Sequence, residues 1–368
     1  MFWGKDKKIT ELEDRLAVLS ATISVLEKQN NNMQAILASM VEGVIAVDKD
    51  ARITSINPSV EAIFGVNKEG VIGRLFLECI RNNDLAEVVS VVLEEKAAVS
   101  KELNLSWPVQ KVFQLNATPI LENGRISGCL LVIHDITEIR KLERIRSDFV
   151  ANASHELKTP LTSIKGFVET LLEGALDNKE ESRNFLNIIQ DHTERLNNLI
   201  NDLLELSHIE SGELELKPKM AGIKGIFDEV ILGFRSQIRK KKIEIDNQLA
   251  EDLKVPADRP KLEQVIINLI DNAIKFNKDS GRIRISSQDL GRKIKIIIED
   301  SGQGVPEKDL PRIFERFYRV DKARSRNLGG TGLGLSIVKH IIELHKGSVG
   351  VESTEGLGSK FFFLLPKE

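Results

Sequence analysis

The chain has 368 residues, which is too long for a single hydrophobic core and predicts two or three domains. Its 41% hydrophobic and 29% charged residues are ordinary for a globular protein, and a formal net charge of −3 gives no reason to expect a nucleic-acid partner. Cys79 and Cys129 match no metal or redox spacing, which fits a reducing compartment. No apolar run approaches the roughly 18 residues of a membrane span, and no secretory leader is evident. We therefore expect a cytoplasmic protein, or the cytoplasmic portion of a membrane-anchored one.

An apolar seven-residue repeat occupies residues 9–40. Two sets of positions offset by three residues form a seam that is typical of a coiled coil. An asparagine in the first set would fix the register and favour two parallel strands. We therefore expect a homodimer, with an amphipathic helix packed on its own domain as the alternative. The seam positions are Ile9, Leu16, Ile23, Asn30 and Leu37 in one set and Leu12, Leu19, Leu26, Met33 and Met40 in the other.

Residues 41–135 change to short β-rich runs around short helical patterns. The runs GVIAVD, RITSIN, KVFQLNAT and GCLLVIHD are typical of strands, and Phe113, Leu115 and Ala117 alternate onto one face. The stretch NPSVEAIFG is typical of a short helix. The pattern predicts a small α+β domain with an antiparallel sheet.

This domain resembles a PAS sensor domain in three features. They are an asparagine, Asn57, a glycine, Gly65, and a closing Asp-x-Thr motif formed by Asp135 and Thr137. The resemblance implies a sensor but leaves its ligand unknown. No flavin-binding cysteine motif is evident, and His134 in a late strand is a poor candidate for a haem ligand. An empty, structural PAS domain is the simplest interpretation.

Two long amphipathic helices are predicted next. Apolar residues recur at three- and four-residue steps from Ile136 to about Leu172, the stretch from Gly174 to Asn178 is a break, and a second run ends at Gly212. One short connection between two such helices makes a helical hairpin. Because each helix alone leaves its stripe exposed, we expect two hairpins to pair in a dimeric four-helix bundle.

Residues 220–368 predict an α/β domain. KLEQVIINLIDNAIKF is a predicted helix, and GRIRISS, KIKIIIED, GSVGVES and KFFFLLP are predicted strands joined by glycine-rich connections. The basic run from Arg239 to Lys242 is interpreted as solvated surface.

His155, in SHELKTP, lies on the helix face that is opposite to the apolar stripe. An exposed neutral imidazole can act as a nucleophile near its unperturbed pKa of about 6.5. Glu156 is adjacent and could accept a proton from the ring, while Thr159 shares the face of His155 and Pro160 is expected to bend the helix. A zinc-protease motif is excluded because Thr159 stands where that motif needs a second histidine.

The helix in NLIDNAIKF places Asn268, Asn272 and Lys275 on one face, because they are spaced by four and three residues. Amide oxygens and one cation on a single stripe suit a hydrated Mg²⁺ that carries phosphates, since Mg²⁺ keeps water ligands and takes few from protein.

Two glycine-rich segments follow this helix. EDSGQGVP places Asp300 at a strand end, where its carboxylate can accept a hydrogen bond from an exocyclic amine such as that of adenine, while Gly302 and Gly304 let the backbone approach the ring. GGTGLGLS precedes a helix whose N-terminal amides can bind phosphate, and a basic loop before it is interpreted as a mobile lid over a triphosphate. No GxxxxGK[ST] loop is present, which excludes that class of nucleotidase. The second set of glycines is Gly330, Gly332 and Gly334, and the lid cations are Arg319, Lys322, Arg324 and Arg326.

These elements, in this order, resemble the N, G1, F and G2 boxes of the GHKL ATPase fold, with IFERFYR as the F box. Together with SHELKTP they resemble a bacterial sensor histidine kinase of the HisKA type, and the domain order is similar to sensor kinases of the phosphate-regulon kind. The fold class implied is multidomain α+β, ending in a GHKL-type α/β-sandwich ATPase domain. The expected domains are a coiled-coil signalling helix at 1–32, a PAS sensor at 33–138, a dimerisation and histidine phosphotransfer hairpin at 139–216, and a catalytic ATP-binding domain at 217–368.

The resemblance also implies residue roles. His155 would be the phospho-acceptor, Glu156 its general base, and Thr159 would orient a water for phosphatase activity. Among the ATP-binding positions Asp300 would read adenine. Lys275 and Arg319 would contact phosphate, and Asn272 with Asn268 would hold Mg²⁺. The implied nucleotide-site positions are Asn268, Asn272, Lys275, Asp300, Gly302, Gly304, Tyr318, Arg319, Lys322, Gly330, Thr331, Gly332, Leu333 and Gly334.

The expected reaction is in-line transfer of the γ-phosphoryl group of ATP to a ring nitrogen of His155, followed by transfer to an aspartate on the receiver domain of a response regulator. The alternatives are a sensor that acts mainly as a phosphatase and another enzyme on the GHKL fold, such as a serine kinase. The cognate regulator, the PAS signal and cis or trans phosphorylation within the dimer are left open.

Overall fold

A computed structural model describes residues 3–105, 111–211, 214–321 and 330–367, with the backbone alone described at 3–14 and 177. The chain forms two compact units, Met1–Arg146 and Ser147–Glu368. Across these described ranges, no helix is both long enough and apolar enough to cross a membrane.

The first unit begins with helix α1 (Trp3–Ser39), which covers the predicted seven-residue repeat. Its apolar seam side chains between Leu16 and Met33 are 51% to 67% exposed. The alternative of an amphipathic helix packed on its own domain would bury them. The seam is therefore open in the single chain, and pairing with a second copy stays a prediction.

A five-stranded antiparallel sheet in the order β2-β1-β5-β4-β3 forms the centre of this unit. Four strands match the predicted runs, and the alternating side chains of Phe113, Leu115 and Ala117 are buried. The strand β3 was not predicted. The elements are β1 (Gly43–Asp48), β2 (Ile53–Ile56), α2 (Pro58–Phe64), α3 (Lys68–Val71), α4 (Phe76–Cys79), α5 (Asn83–Glu95), β3 (Val99–Leu105), β4 (Lys111–Glu122) and β5 (Arg125–Asp135).

Asn57 connects the end of α1 to the sheet. It is buried, and its Oδ1 accepts hydrogen bonds from the amides of Val44 at 2.9 Å and Val60 at 3.3 Å. Its Nδ2 donates to the carbonyls of Leu37 at 3.1 Å and Glu42 at 2.8 Å. These four hydrogen bonds satisfy the buried amide of Asn57. Through them one side chain caps α2 and connects the end of α1 to β1.

The predicted hairpin consists of α6 (Thr137–Leu172), a 3₁₀ turn (Ala175–Asp177) and α7 (Lys179–Glu210). Asn178 caps α7 by accepting hydrogen bonds from two backbone amides of its first turn. Residues of α6 from Ser147 onward belong to the second unit. The predicted end at Gly212 lies outside the described residues.

The rest of the second unit is an α/β sandwich, as predicted. Its sheet has the order β11-β12-β10-β9-β7, with β7 parallel to β9 and the other pairs antiparallel, and β6 pairs with β8. Apolar side chains of α8, α10 and α11 form one core with the inner face of the sheet. The elements are β6 (Lys219–Gly222), α8 (Ile223–Gly233), α9 (Arg235–Lys241), β7 (Glu244–Asn247), β8 (Lys254–Ala257), α10 (Arg259–Lys275), β9 (Arg282–Asp289), β10 (Lys293–Asp300), α11 (Gly334–Leu344), β11 (Ser348–Thr354) and β12 (Gly358–Pro366).

Candidate functional site

A cavity of about 520 Å³ lies in the second unit, between α7, α10, the end of β10 and the segment before α11. Its size is that of a small-molecule site. The fold brings most of the predicted nucleotide-site residues together around this cavity. Those in the lining are Asn268, Asn272, Lys275, Asp300, Gly304, Tyr318, Arg319, Gly330, Thr331, Gly332 and Gly334.

Asp300 reaches the cavity because of the alternation along β10. Alternate residues of this strand, beginning with Ile294, are buried on one face, and Asp300 is the last residue on that face, 7% exposed. Its Oδ1 accepts a hydrogen bond from the Gly302 amide at 2.8 Å. Burial raises the pKa of the Asp300 carboxyl to about 6. A side chain at Gly302 would overlap the Phe276 carbonyl and lie 2.7 Å from Asp300 Oδ1, so the turn requires glycine.

The face of α10 that is opposite to the core carries Asn268, Asn272 and Lys275 into the cavity. The ammonium of Lys275 lies 2.6 Å from Asp271 Oδ2, an acidic partner that the spacing argument did not single out. Asn268 Nδ2 is buried, without a hydrogen-bond partner among the described residues. An unsatisfied donor of this kind fits a phosphate oxygen, and amide oxygens are ligands that Mg²⁺ accepts. The residues present therefore fit Mg²⁺ with a phosphate-bearing nucleotide.

The segment before α11 is held by Thr331. Its hydroxyl donates to Asp202 Oδ2 of α7 at 2.8 Å, and the amide of Leu333 donates to Thr331 Oγ1 at 3.2 Å. Leu333 is fully buried. Gly332 has φ +77°, which few other residues adopt, and a side chain there would lie 2.9 Å from the backbone of Phe317. Asp202 lines the cavity, and its burial raises the pKa of its carboxyl.

The F-box residues lie at the rim of the cavity. The Tyr318 hydroxyl donates to Asp309 Oδ1 at 2.6 Å. Gly304, which also lines the cavity, has φ +70°, and a side chain there would overlap the Thr354 carbonyl. Arg319 lines the cavity and is 6% exposed at its side chain. The predicted lid residues Lys322, Arg324 and Arg326 lie outside the described residues.

His155 is exposed on α6, as its position predicts. The Thr159 hydroxyl donates to the backbone carbonyl of His155 at 3.0 Å. Glu156 Oε2 is 3.2 Å from Arg195 of α7 and 3.0 Å from Arg319, and all three side chains are less than one-fifth exposed. Arg319 therefore connects the residue after His155 to the lining of the cavity.

The contacts between hairpin and α/β sandwich were missed by sequence reasoning. Asp202 and Arg195 both occur on α7 among many other polar residues, and neither has a distinguishing spacing. Only the fold brings them to Thr331 and Glu156. No sequence signal would have selected these two residues over their neighbours.

The fold and the site define a nucleotide-binding α/β domain that is joined to a histidine-bearing helical hairpin. Three family models match the chain in the corresponding order. A PAS fold matches residues 31–136, a His Kinase A (phospho-acceptor) domain matches 145–212, and a histidine kinase-, DNA gyrase B- and HSP90-like ATPase matches 257–368.

Proteins with similar sequences identify the family to which the whole chain belongs. The chain is 34% identical over 97% of its length to sensor histidine kinase WalK of Bacillus subtilis (strain 168), of which it spans 57%. It is 34% identical over 93% of its length to sensor protein kinase WalK of Staphylococcus aureus (strain Newman), of which it spans 56%. For another Staphylococcus aureus WalK sequence of the same identity the share is 82%. The chain belongs to the sensor histidine kinases.

Among solved structures, the chain is similar to histidine kinase ThkA, crystallised in complex with response regulator protein TrrA. The TM-score is 0.51 at 30% sequence identity, and the match covers 91% of this chain and 98% of that one. This likeness covers about nine-tenths of the chain and agrees with the predicted fold class. The chain spans little more than half the length of the first two WalK relatives.

Proposed function

We propose that this chain catalyses ATP-dependent phosphorylation of His155 and passes the phosphoryl group to an aspartate of a response regulator. The observation that carries the proposal is the ion pair between Glu156, which follows His155, and Arg319, which lines the cavity. It links the phospho-acceptor helix to the nucleotide pocket within one compact unit. The family of the chain supports the same reaction.

Different residues of this chain bind different parts of ATP. Asp300 accepts the exocyclic amine of adenine, beside a backbone that Gly302 and Gly304 allow to come close. Lys275 binds phosphate after its ammonium leaves Asp271. The amides of residues 332–334, at the start of α11, face the phosphates as a helix N-terminus does. Asn272 and Asn268 hold Mg²⁺, which when bound neutralises the charge of the transferring phosphoryl group.

At the phospho-acceptor, Glu156 accepts the ring proton of His155 as the bond to phosphorus forms and the bond to the leaving oxygen of ADP breaks. In the arrangement described above this carboxylate is held by Arg195 and Arg319. We propose that Arg319 moves from Glu156 to a phosphate oxygen when ATP is bound, which removes one of the two arginines from the carboxylate and adds a cation to the transition state. Thr159 orients a water for removal of the phosphoryl group from the regulator.

The proposed partners are supported by the exposed apolar helix faces and by a similar histidine kinase structure. We propose a homodimer through the α1 seam and through the hairpin helices, which expose apolar side chains such as Leu161 and Leu204. The complex of ThkA with TrrA supports a receiver domain as the second partner. Because ATP is a cytoplasmic substrate, we place the chain there, either alone or as part of a membrane-anchored kinase.

We propose that each predicted domain has its own function. Residues 1–32 act as a signalling coiled coil, 33–138 as the PAS sensor, 139–216 as the phosphotransfer hairpin and 217–368 as the catalytic domain. The beginning of α6 at Thr137 and of β6 at Lys219 supports the last two boundaries to within three residues of each.

The test is labelling of the full chain with γ-labelled ATP and Mg²⁺. We expect incorporation into the wild type, loss of incorporation in His155→Gln, and unchanged ATP binding by that variant. The bond should be acid-labile and base-stable, as a phosphoramidate is. An acid-stable, base-labile product would favour the serine-kinase alternative, and labelling of His155→Gln would contradict the assignment.

A further inference from the structure

The basic run from Arg239 to Lys242 contains one residue that does not behave as solvated surface. Arg239, Lys240 and Lys242 are exposed, in agreement with the prediction from sequence. Lys241 is half-buried, and its ammonium donates to the carbonyls of Ile274 at 2.8 Å, Lys275 at 2.8 Å and Asn277 at 3.3 Å. For Lys241 the prediction was therefore wrong.

The first two carbonyls belong to the C-terminal end of α10, the helix that carries the predicted nucleotide-site residues, and the Asn277 carbonyl belongs to the turn just beyond it. The last carbonyls of a helix have no partner within it, and a cation at this end also interacts favourably with the helix dipole. Lys241 supplies three hydrogen bonds there with a single charged group, and its own carbonyl accepts the amide of Ser280 from the turn beyond the helix. It fixes both the end of α10 and the turn that follows.

The same helix end supports the adenine side of the cavity. The Phe276 carbonyl, which lies between the carbonyls that Lys241 binds, accepts the amide of Gln303 at 3.2 Å. Gln303 and Phe276 both line the cavity, and Gly302 packs against the Phe276 carbonyl. The position of this carbonyl therefore determines where the loop after Asp300 lies. The last turn of α10 likewise determines where the ammonium of Lys275 lies, and this is the cation that is assigned to phosphate.

We propose that Lys241 is a positioning residue for nucleotide binding. It keeps the end of α10 in a fixed position relative to the loop after Asp300, which is proposed to contact adenine. The inference rests on the proposed function, because it assigns Asp300 to adenine and Lys275 to phosphate. The three hydrogen bonds of the Lys241 ammonium are all to backbone carbonyls. Its effect on ATP is exerted through the two sides of the pocket that it keeps aligned.

The test compares three variants of the full chain: Lys241→Met, which keeps the length of the side chain without the donors, Lys241→Arg, which keeps donors and charge, and Lys240→Met, which removes a neighbouring exposed cation. The dissociation constants of ATP and GTP are measured by titration calorimetry at a temperature where circular dichroism shows each variant to be folded. We expect Lys241→Met to weaken ATP binding about 10-fold or more and to reduce the preference for ATP over GTP, since small displacements of aligned groups have effects of this size. Lys241→Arg should recover part of both, and Lys240→Met should stay within about twofold of the wild type.

A purely structural role would lower the melting temperature of Lys241→Met while leaving the ATP affinity and the ATP preference of the folded protein unchanged, and that result would overturn the inference. An equal loss in Lys240→Met would also overturn it, because it would indicate a general effect of surface charge. A wild-type chain that binds no ATP would instead defeat the proposed function, so the two failures are distinguishable.

Discussion

Asp300→Asn should have opposite effects on stability and on ATP binding. The carboxyl is 7% exposed, and its pKa is about 6 compared with an ordinary value of 3.8. Because the folded state holds the proton more tightly, stability falls as pH rises from about 4 to 6 and stays at the lower value above that window. At about 1.4 kcal/mol per pKa unit, the buried charge costs the native state about 3 kcal/mol at pH 7.5.

The neutral amide that this substitution introduces would remove the cost while keeping an oxygen that accepts the Gly302 amide. Its NH₂ group would be buried with few partners, at a cost of about 1 kcal/mol, so we expect a net gain of about 1–2 kcal/mol at pH 7.5. ATP binding should weaken about 10-fold to 100-fold, since a hydrogen bond to a charged acceptor is lost.

The assay is hydrogen exchange of the β10 amides in the full chain, with variant and wild type compared at each pH from 5 to 8, together with calorimetric titration of ATP. The matched comparison is Glu299→Gln, which neutralises the adjacent, half-buried carboxylate. The charge of Glu299 is a lesser cause of the raised Asp300 pKa than burial, so the pH-dependent gain of this variant should be well below that of Asp300→Asn. An Asp300→Asn variant whose β10 amides are less protected than the wild type at pH 7.5, or whose relative protection does not change between pH 5 and 7, would refute the reasoning.

Three further substitutions test the hairpin. Thr159→Ala should leave labelling from ATP intact and slow dephosphorylation of the regulator, measured as loss of label from a phosphorylated receiver domain; equal rates would remove Thr159 from that role. Glu156→Gln should lower the rate of His155 phosphorylation about 100-fold or more with ATP affinity retained, because the proton acceptor is lost, and a near-normal rate would exclude it as the base. Asp202→Asn removes the negative charge from the cavity wall while keeping an oxygen that can accept the Thr331 hydroxyl, and it should tighten ATP binding about fivefold, by roughly 1 kcal/mol of relieved repulsion, whereas Asn201→Ala is the neutral control. Weaker ATP binding in Asp202→Asn would contradict that account.

The parts of the site that depend on local periodicity were predictable from the sequence. Alternation along β10 determines that Asp300 shares the buried face, and helical spacing determines that Asn268, Asn272 and Lys275 share a face of α10. The exposure of His155 follows from the same argument on α6. In each case the periodicity of one element determines the direction in which the side chain points.

The contacts between distant segments were not predictable. Glu156 and Arg319 are separated by 163 positions, and Asp202 and Thr331 by 129, so no periodic pattern relates them. Lys241 belongs to a basic run that composition alone assigns to solvent, yet the end of α10 binds its ammonium. The strands β6, β7 and β8 were also not predicted, because their four residues each include glycine, proline, alanine, aspartate or asparagine, which are depleted in strands.

The most direct measurement is mass-spectrometric mapping of the phosphorylated residue after the full chain is incubated with ATP and Mg²⁺ at neutral pH. If the imidazole next to the Glu156–Arg319 pair is the acceptor, the added phosphate will map to His155 alone and will be lost on mild acid treatment. Phosphate on a serine, threonine or different histidine, or a wild-type chain that binds ATP yet stays unmodified alone and with a receiver domain, would contradict the central claim.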